Sequence, residues 1–182
     1  MRANPKNRSS NLEFIYLCSG DFARAEEAAE AWVKEAPRDL SSLWFHPQPP
    51  LYRGDLDLAA QRLDKVLQLF PDDPAIVSLL AMLHAARRQH AQALECLRRA
   101  LEFPITFGHA HHIYNQIACA YSELGDTDKA MAWLERTVDS GNPCWPFFQI
   151  DPFLENLRQE ARFRDLITRL ERKFSALPIG RV

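Results

Sequence analysis

A recurrence constrains this chain more than any other feature. Ala25, Ala59, Ala93 and Ala130 advance by 34, 34 and 37 positions. Gly20-Asp21, Gly54-Asp55 and Gly125-Asp126 each place a glycine five positions ahead of its alanine, and Arg88 stands where the third copy needs one. Pro37, Pro71, Pro104 and Pro143 follow the same alanines by 12, 12, 11 and 13 positions. Markers in register at this period call for one supersecondary unit used several times. Each marker has a physical job. Glycine allows the chain to turn, and alanine lets two helices approach closely. Proline stops the second helix, because it lacks a donor and its ring clashes with the preceding turn.

The best-formed copy runs from Tyr114 to Asn142, YNQIACAYSELGDTDKAMAWLERTVDSGN. Tyr114, Ile117, Ala118 and Tyr121 follow the W-x2-L-G-x2-Y spacing, and Ala130, Leu134 and Thr137 resume a second helical face after the turn. On these residues the chain resembles the tetratricopeptide repeat (TPR) family over about four-fifths of its length. That resemblance implies an all-α protein: a right-handed α-solenoid of about four helix pairs with a C-terminal capping helical segment.

Taken in order, residues 1–8 are polar and without periodicity, and a disordered N-terminus is expected there. The array follows over 9–143, as repeats 9–39, 40–73, 74–104 and 110–143. In the second repeat Pro47, Pro49 and Pro50 fall where a first helix should be. A short helix around Ser41 to Phe45, an extended or looped stretch to Arg53 and a normal helix from Leu56 to Phe70 are expected. In the third, Arg87, Arg88, Arg98 and Arg99 read as a solvated helix edge. The linker ITFGHAHH accounts for the longer last step. Residues 144–176 read as the cap, with Asp151-Pro152 as a helix start and Trp145, Phe147 and Phe148 as anchors. Residues 177–182 form a tail.

Composition sets the class of partner. The formal charge is -2 with a pI near 6.3, which supplies no broad basic surface for nucleic acid or anionic lipid. No apolar run approaches the roughly 18 residues of a transmembrane helix, and MRANPKNRSS lacks a signal peptide's apolar centre, so a cytoplasmic location is expected. Cys18, Cys96, Cys119 and Cys144 are scattered, without a CxxC pair, and read as reduced thiols.

A narrower resemblance covers Phe107 to Leu166. The GHxHH cluster, the IACAY helix, the GNPCWPFF turn and the DPxLxxLRxxxRF ending look like the C-terminal region of bacterial signalling proteins. In those proteins such repeats follow a serine/threonine kinase, adenylate-cyclase or winged-helix domain. This implies a free-standing or truncated sensor portion. No kinase loop, GxSxG elbow or HExxH run is present, so neither an enzyme nor a catalytic residue is expected.

The leading expectation is a non-catalytic scaffold or adaptor that binds a protein or peptide on a concave groove lined by first helices. The register places Ser10, Asn11, Phe14, Ser78, Leu79, Met82, His112, Asn115, Gln116 and Cys119 on that face. Asparagine and glutamine amides can bond a peptide backbone, and leucine and methionine offer adaptable apolar contact. The lysine and asparagine clamp of chaperone-binding members is not reproduced. The alternatives are a regulatory region of a larger bacterial kinase, cyclase or transcription regulator, and an enzyme or metal protein using His109, His111 and His112. No cofactor and no metal are expected, because the histidines lack a second paired ligand motif.

Overall fold

The computed structural model describes residues 8–102 and 110–175. Among them every regular element is helical. The helices are α1 Arg8–Cys18, α2 Phe22–Glu35, α3 Leu40–Phe45, α4 Gln48–Arg53, α5 Leu56–Leu67, α6 Pro74–Ala86, α7 His90–Ala100, α8 Ala110–Glu123, α9 Thr127–Asp139, α10 Trp145–Ile150 and α11 Ala161–Ser175, with a 3-10 turn over Pro152–Leu157 between the last two.

The recurring Gly-Asp pair ends one helix and starts the next. Gly20, Gly54 and Gly125 have φ of 76°, 84° and 77°, the left-handed conformation that closes a helix C-terminus. The aspartate that follows then caps the next helix. Its carboxylate accepts from the backbone N–H of Arg24, Leu58 and Lys129 at 3.1, 3.2 and 3.1 Å. At the third turn Arg88 takes the same conformation with φ of 60°, and Gln89 N–H still reaches the His84 carbonyl at 2.8 Å. The backbone keeps the turn although the residue there is unsuited to it. Ala25, Ala59, Ala93 and Ala130 are fully buried where paired helices touch.

The pairs stack in file. α1 packs on α2, α3 and α4 on α2, α4 on α5, α6 on α5 and α7, and α8 on α6 and α9. The 3-10 turn then lies on α8 and α9, and α11 packs on α9 and α10. This is an α-solenoid of helix pairs.

The second repeat differs from the sequence expectation. The short helix over 41–45 is present, but the stretch up to Arg53 is helix α4 rather than extended or looped chain. Pro49 and Pro50 occupy the first turn of α4, where no intrahelical N–H donor is needed. The prolines therefore break one long helix into two short ones. Arg62 of α5 pins the break: its guanidinium donates to the His46 carbonyl at 2.8 Å, to Glu30 at 2.7 Å and to Glu26. The linker expectation is also shortened, since His111 and His112 belong to the first turn of α8. Residues 103–109, His109 and Pro104 included, lie outside the described residues, as do 1–7 and 176–182.

Candidate functional site

The expected groove residues sit on the first helices, as the register requires, but most of them are inside the protein. Ser78, Leu79, Met82 and Cys119 have no exposed surface, and Asn115 and Gln116 keep 6% and 3%. Several of their polar atoms are engaged with one another or with Asp151, while Asn115 Oδ1 is buried without a hydrogen-bond partner. The Ser78 hydroxyl donates to Gln116 Oε1 at 2.6 Å, Asn115 Nδ2 donates to Cys119 Sγ at 3.7 Å, and Cys119 Sγ donates to Asp151 Oδ2 at 3.6 Å. These six residues line an interior rather than an open face. Phe14 and His112 are half-buried, with ring centroids 4.8 Å apart in edge-to-face contact. Asn11 belongs to α1, and its side chain, like that of Ser10, lies outside the described residues.

Two pieces of this chain fill the hollow. At one end α1 carries Phe14 against Phe45 of α3 and His112 of α8. At the other end Phe147 of α10 and Phe153 of the 3-10 turn place their rings 5.7 and 5.3 Å from that of Tyr52 on α4. Asp151 is carried in with them. It is fully buried, accepts from the Phe153 N–H at 2.9 Å, and is pushed up to about 7 chiefly by burial. Glu13 on α1 is equally buried, with neither carboxylate oxygen hydrogen-bonded, and burial raises its pKa well above the ordinary value. His112 and Cys119 share a helix face but meet different neighbours, aromatic rings and Asp151 respectively. Among the described residues no three histidine, cysteine, aspartate or glutamate side chains are placed to hold a metal ion.

An opening remains at the rim. A cavity of about 180 Å³ is lined by Leu51, Tyr52, Gly54, Leu56, Ala86, Glu123, Pro152 and Phe153. Tyr52, Ala86 and Glu123 each stand two positions before the turn residue of their own repeat, Gly54, Arg88 and Gly125. Stacking thus brings one register position of three successive first helices together, and the 3-10 turn supplies the remaining wall. Glu123 is the only carboxylate in this lining, it is half-buried, and burial raises its pKa. The sequence reading missed this site. The signal available to it was the shared register of Tyr52, Ala86 and Glu123.

Residues 51–103 match one tetratricopeptide repeat family model, and residues 111–139 match another. This chain carries tetratricopeptide repeats. Among solved structures it resembles PilW, a widely conserved type IV pilus biogenesis factor, with a TM-score of 0.55 at 18% identity, over 96% of this chain and 80% of that one. A thermophilic TPR protein of Thermus thermophilus aligns with a TM-score of 0.57 at 19% identity, over 92% of this chain and 97% of the other. A tetratricopeptide repeat protein from Parabacteroides merdae aligns with a TM-score of 0.59 at 15% identity, over 99% and 68%. Likeness at these identities concerns the fold alone. No curated protein matches the chain. Among the described residues no helix of this TPR array is long and apolar enough to cross a membrane.

Proposed function

We propose that the chain is a non-catalytic protein-interaction scaffold whose partner engages the rim where the first helices of the second, third and fourth repeats end. TPR modules serve as protein-interaction scaffolds, and that coarse role supports this reading. The observation that carries the location is the division of the inner face. Its centre is sealed by the Ser78–Gln116 and Cys119–Asp151 contacts, while the rim keeps an apolar cavity open between Leu51, Leu56 and Phe153. A rigid concave site with few polar groups is the usual form of a recognition pocket. In this reading Ser78, Leu79, Met82, Asn115, Gln116 and Cys119 hold the helices that frame the rim, and Phe14 with His112 holds α1.

The test begins with partner capture and is decided by titrating the purified partner against the chain and against Leu56→Lys. Leu56 is partly buried against the core in the first turn of α5, the lysine stem can cover the same surface, and an unchanged helical circular dichroism spectrum checks that the variant keeps the fold. Affinity should fall by about tenfold or more, as expected when a charge is placed in an apolar contact. A purified partner that binds the variant equally well would remove the rim from the reading. Failure of every captured protein to bind directly would remove the scaffold role.

A further inference from the structure

We propose that the rim pocket receives one basic side chain, lysine or arginine, from the partner polypeptide, with its aliphatic stem against Leu51, Leu56, Ala86 and Phe153 and its cation on the Glu123 carboxylate. This deepens the scaffold reading and rests on it. The cavity of about 180 Å³ is lined mainly by apolar side chains and has one acidic group in its wall. Among the described residues, Glu123 forms no hydrogen bond or ion pair through its carboxylate.

The occupant follows from elimination by chemistry. A wholly apolar side chain would strip water from the Glu123 carboxylate without replacing it, which is unfavourable by a few kcal/mol. An acidic side chain would meet Glu123 and, close by, Glu155, the second negative charge acting on this site. Arg88 opposes that field from the adjacent turn without outweighing the burial of Glu123. A long amphipathic side chain satisfies both walls at once, since its methylene stem covers apolar surface while its head keeps its charge partnered. Burial already holds the Glu123 pKa up, and a cation brought to it would reverse that shift.

The test uses the ¹⁵N-labelled full chain at neutral pH, titrated with the capped tripeptide Ala-Arg-Ala and with its citrulline counterpart, which keeps the shape and removes the charge. The arginine peptide should shift the backbone amides of Leu51, Gly54, Ala86 and Glu123, with a dissociation constant on the order of 1 mM. The citrulline peptide should bind about two- to fivefold more weakly, the ratio expected of one partly exposed ion pair. Glu123→Gln should abolish the difference between the two peptides while leaving amide positions remote from the pocket unchanged. The proposal is overturned if these four amides do not move at about 10 mM arginine peptide, if the two peptides bind alike, or if their difference survives in Glu123→Gln. Such a failure leaves the scaffold role standing, because that role is judged by direct binding of captured proteins to the chain, and the rim by the Leu56→Lys comparison.

Discussion

Single residues carry most of what the sequence announces about the turns. Gly20, Gly54 and Gly125 adopt the left-handed conformation, and Arg88 adopts it with a side chain that destabilises it. Arg88→Gly should therefore raise stability by about 1 kcal/mol in urea unfolding, and it would do so without moving the turn. Asp151 gives the opposite lesson, because its sequence context reads as an ordinary helix cap while its surroundings make it a buried acid. The Phe153 N–H, Cys119 and Asn115 of α8 and Arg158 after the 3-10 turn favour its charged form, Tyr52 of α4 lies nearby, and burial outweighs that help. Its pKa is raised to about 7, so its effect on stability is most favourable below the unfolded value near 4 and is lost as pH rises through 7. Stability of the wild type should fall across that window by up to roughly 4 kcal/mol relative to Asp151→Asn, which keeps the acceptor for the Phe153 N–H. Glu13, also raised, acts with the same sign in both proteins and cancels in the comparison. Parallel slopes for wild type and variant in chemical denaturation would refute the assignment.

Whole elements were legible where local chemistry and repeat register agreed. α2, α5 and α9 begin at the aspartates that the Gly-Asp pairs mark, and α6 begins at Asp73-Pro74. α4 was not legible, because prolines at 47, 49 and 50 exclude a continuous helix but permit a new one that starts among them. A tie from outside the segment reaches it, since Arg62, nine residues beyond the end of α4, binds the carbonyl of His46 just ahead of it at 2.8 Å. Arg62 is also the cation between Glu26 and Glu30 of α2, so it ties the broken helix to the first repeat. Replacing it with methionine removes the charge while keeping the stem. Arg62→Met should cost about 3 kcal/mol, because it leaves part-buried carboxylates and a carbonyl without their donor. A loss below about 0.5 kcal/mol, the scale of an exposed pair, would mean that α4 holds its place without the clamp. The rim pocket has the same origin as α4. Tyr52, Ala86 and Glu123 share a register readable in the chain, but the wall formed by Pro152 and Phe153 depends on where the C-terminal turn folds back.

For the molecule as a whole, the register puts the expected groove residues on first helices, where the structure buries six of them. Small rotations between successive repeats accumulate, and no local pattern states their sum. Here the sum brings the first repeat against the fourth, with the Phe14 ring 4.8 Å from that of His112 across 98 positions of chain. This contact changes the expected coupling. An open array loses stability only in the mutated repeat and its neighbours, so damage at α1 should fade by the third repeat. If α1 braces α8 directly, the damage instead skips to the far end. Phe14→Ala should lower stability by about 2 kcal/mol, less than for a fully buried ring. Native-state hydrogen exchange gives the decisive reading. The amides of Ile113, Asn115 and Ile117 should exchange faster in Phe14→Ala, while those of α6 from Ser78 to Met82 change less, because α6 has α5, α7 and α8 packed around it. Protection lost in α6 before α8 would show that stress passes through the stack in sequence order and that the Phe14–His112 contact couples nothing. Loss in α8 first would show that this TPR array behaves as a closed unit, with the Phe14–His112 contact as a working part of its seam.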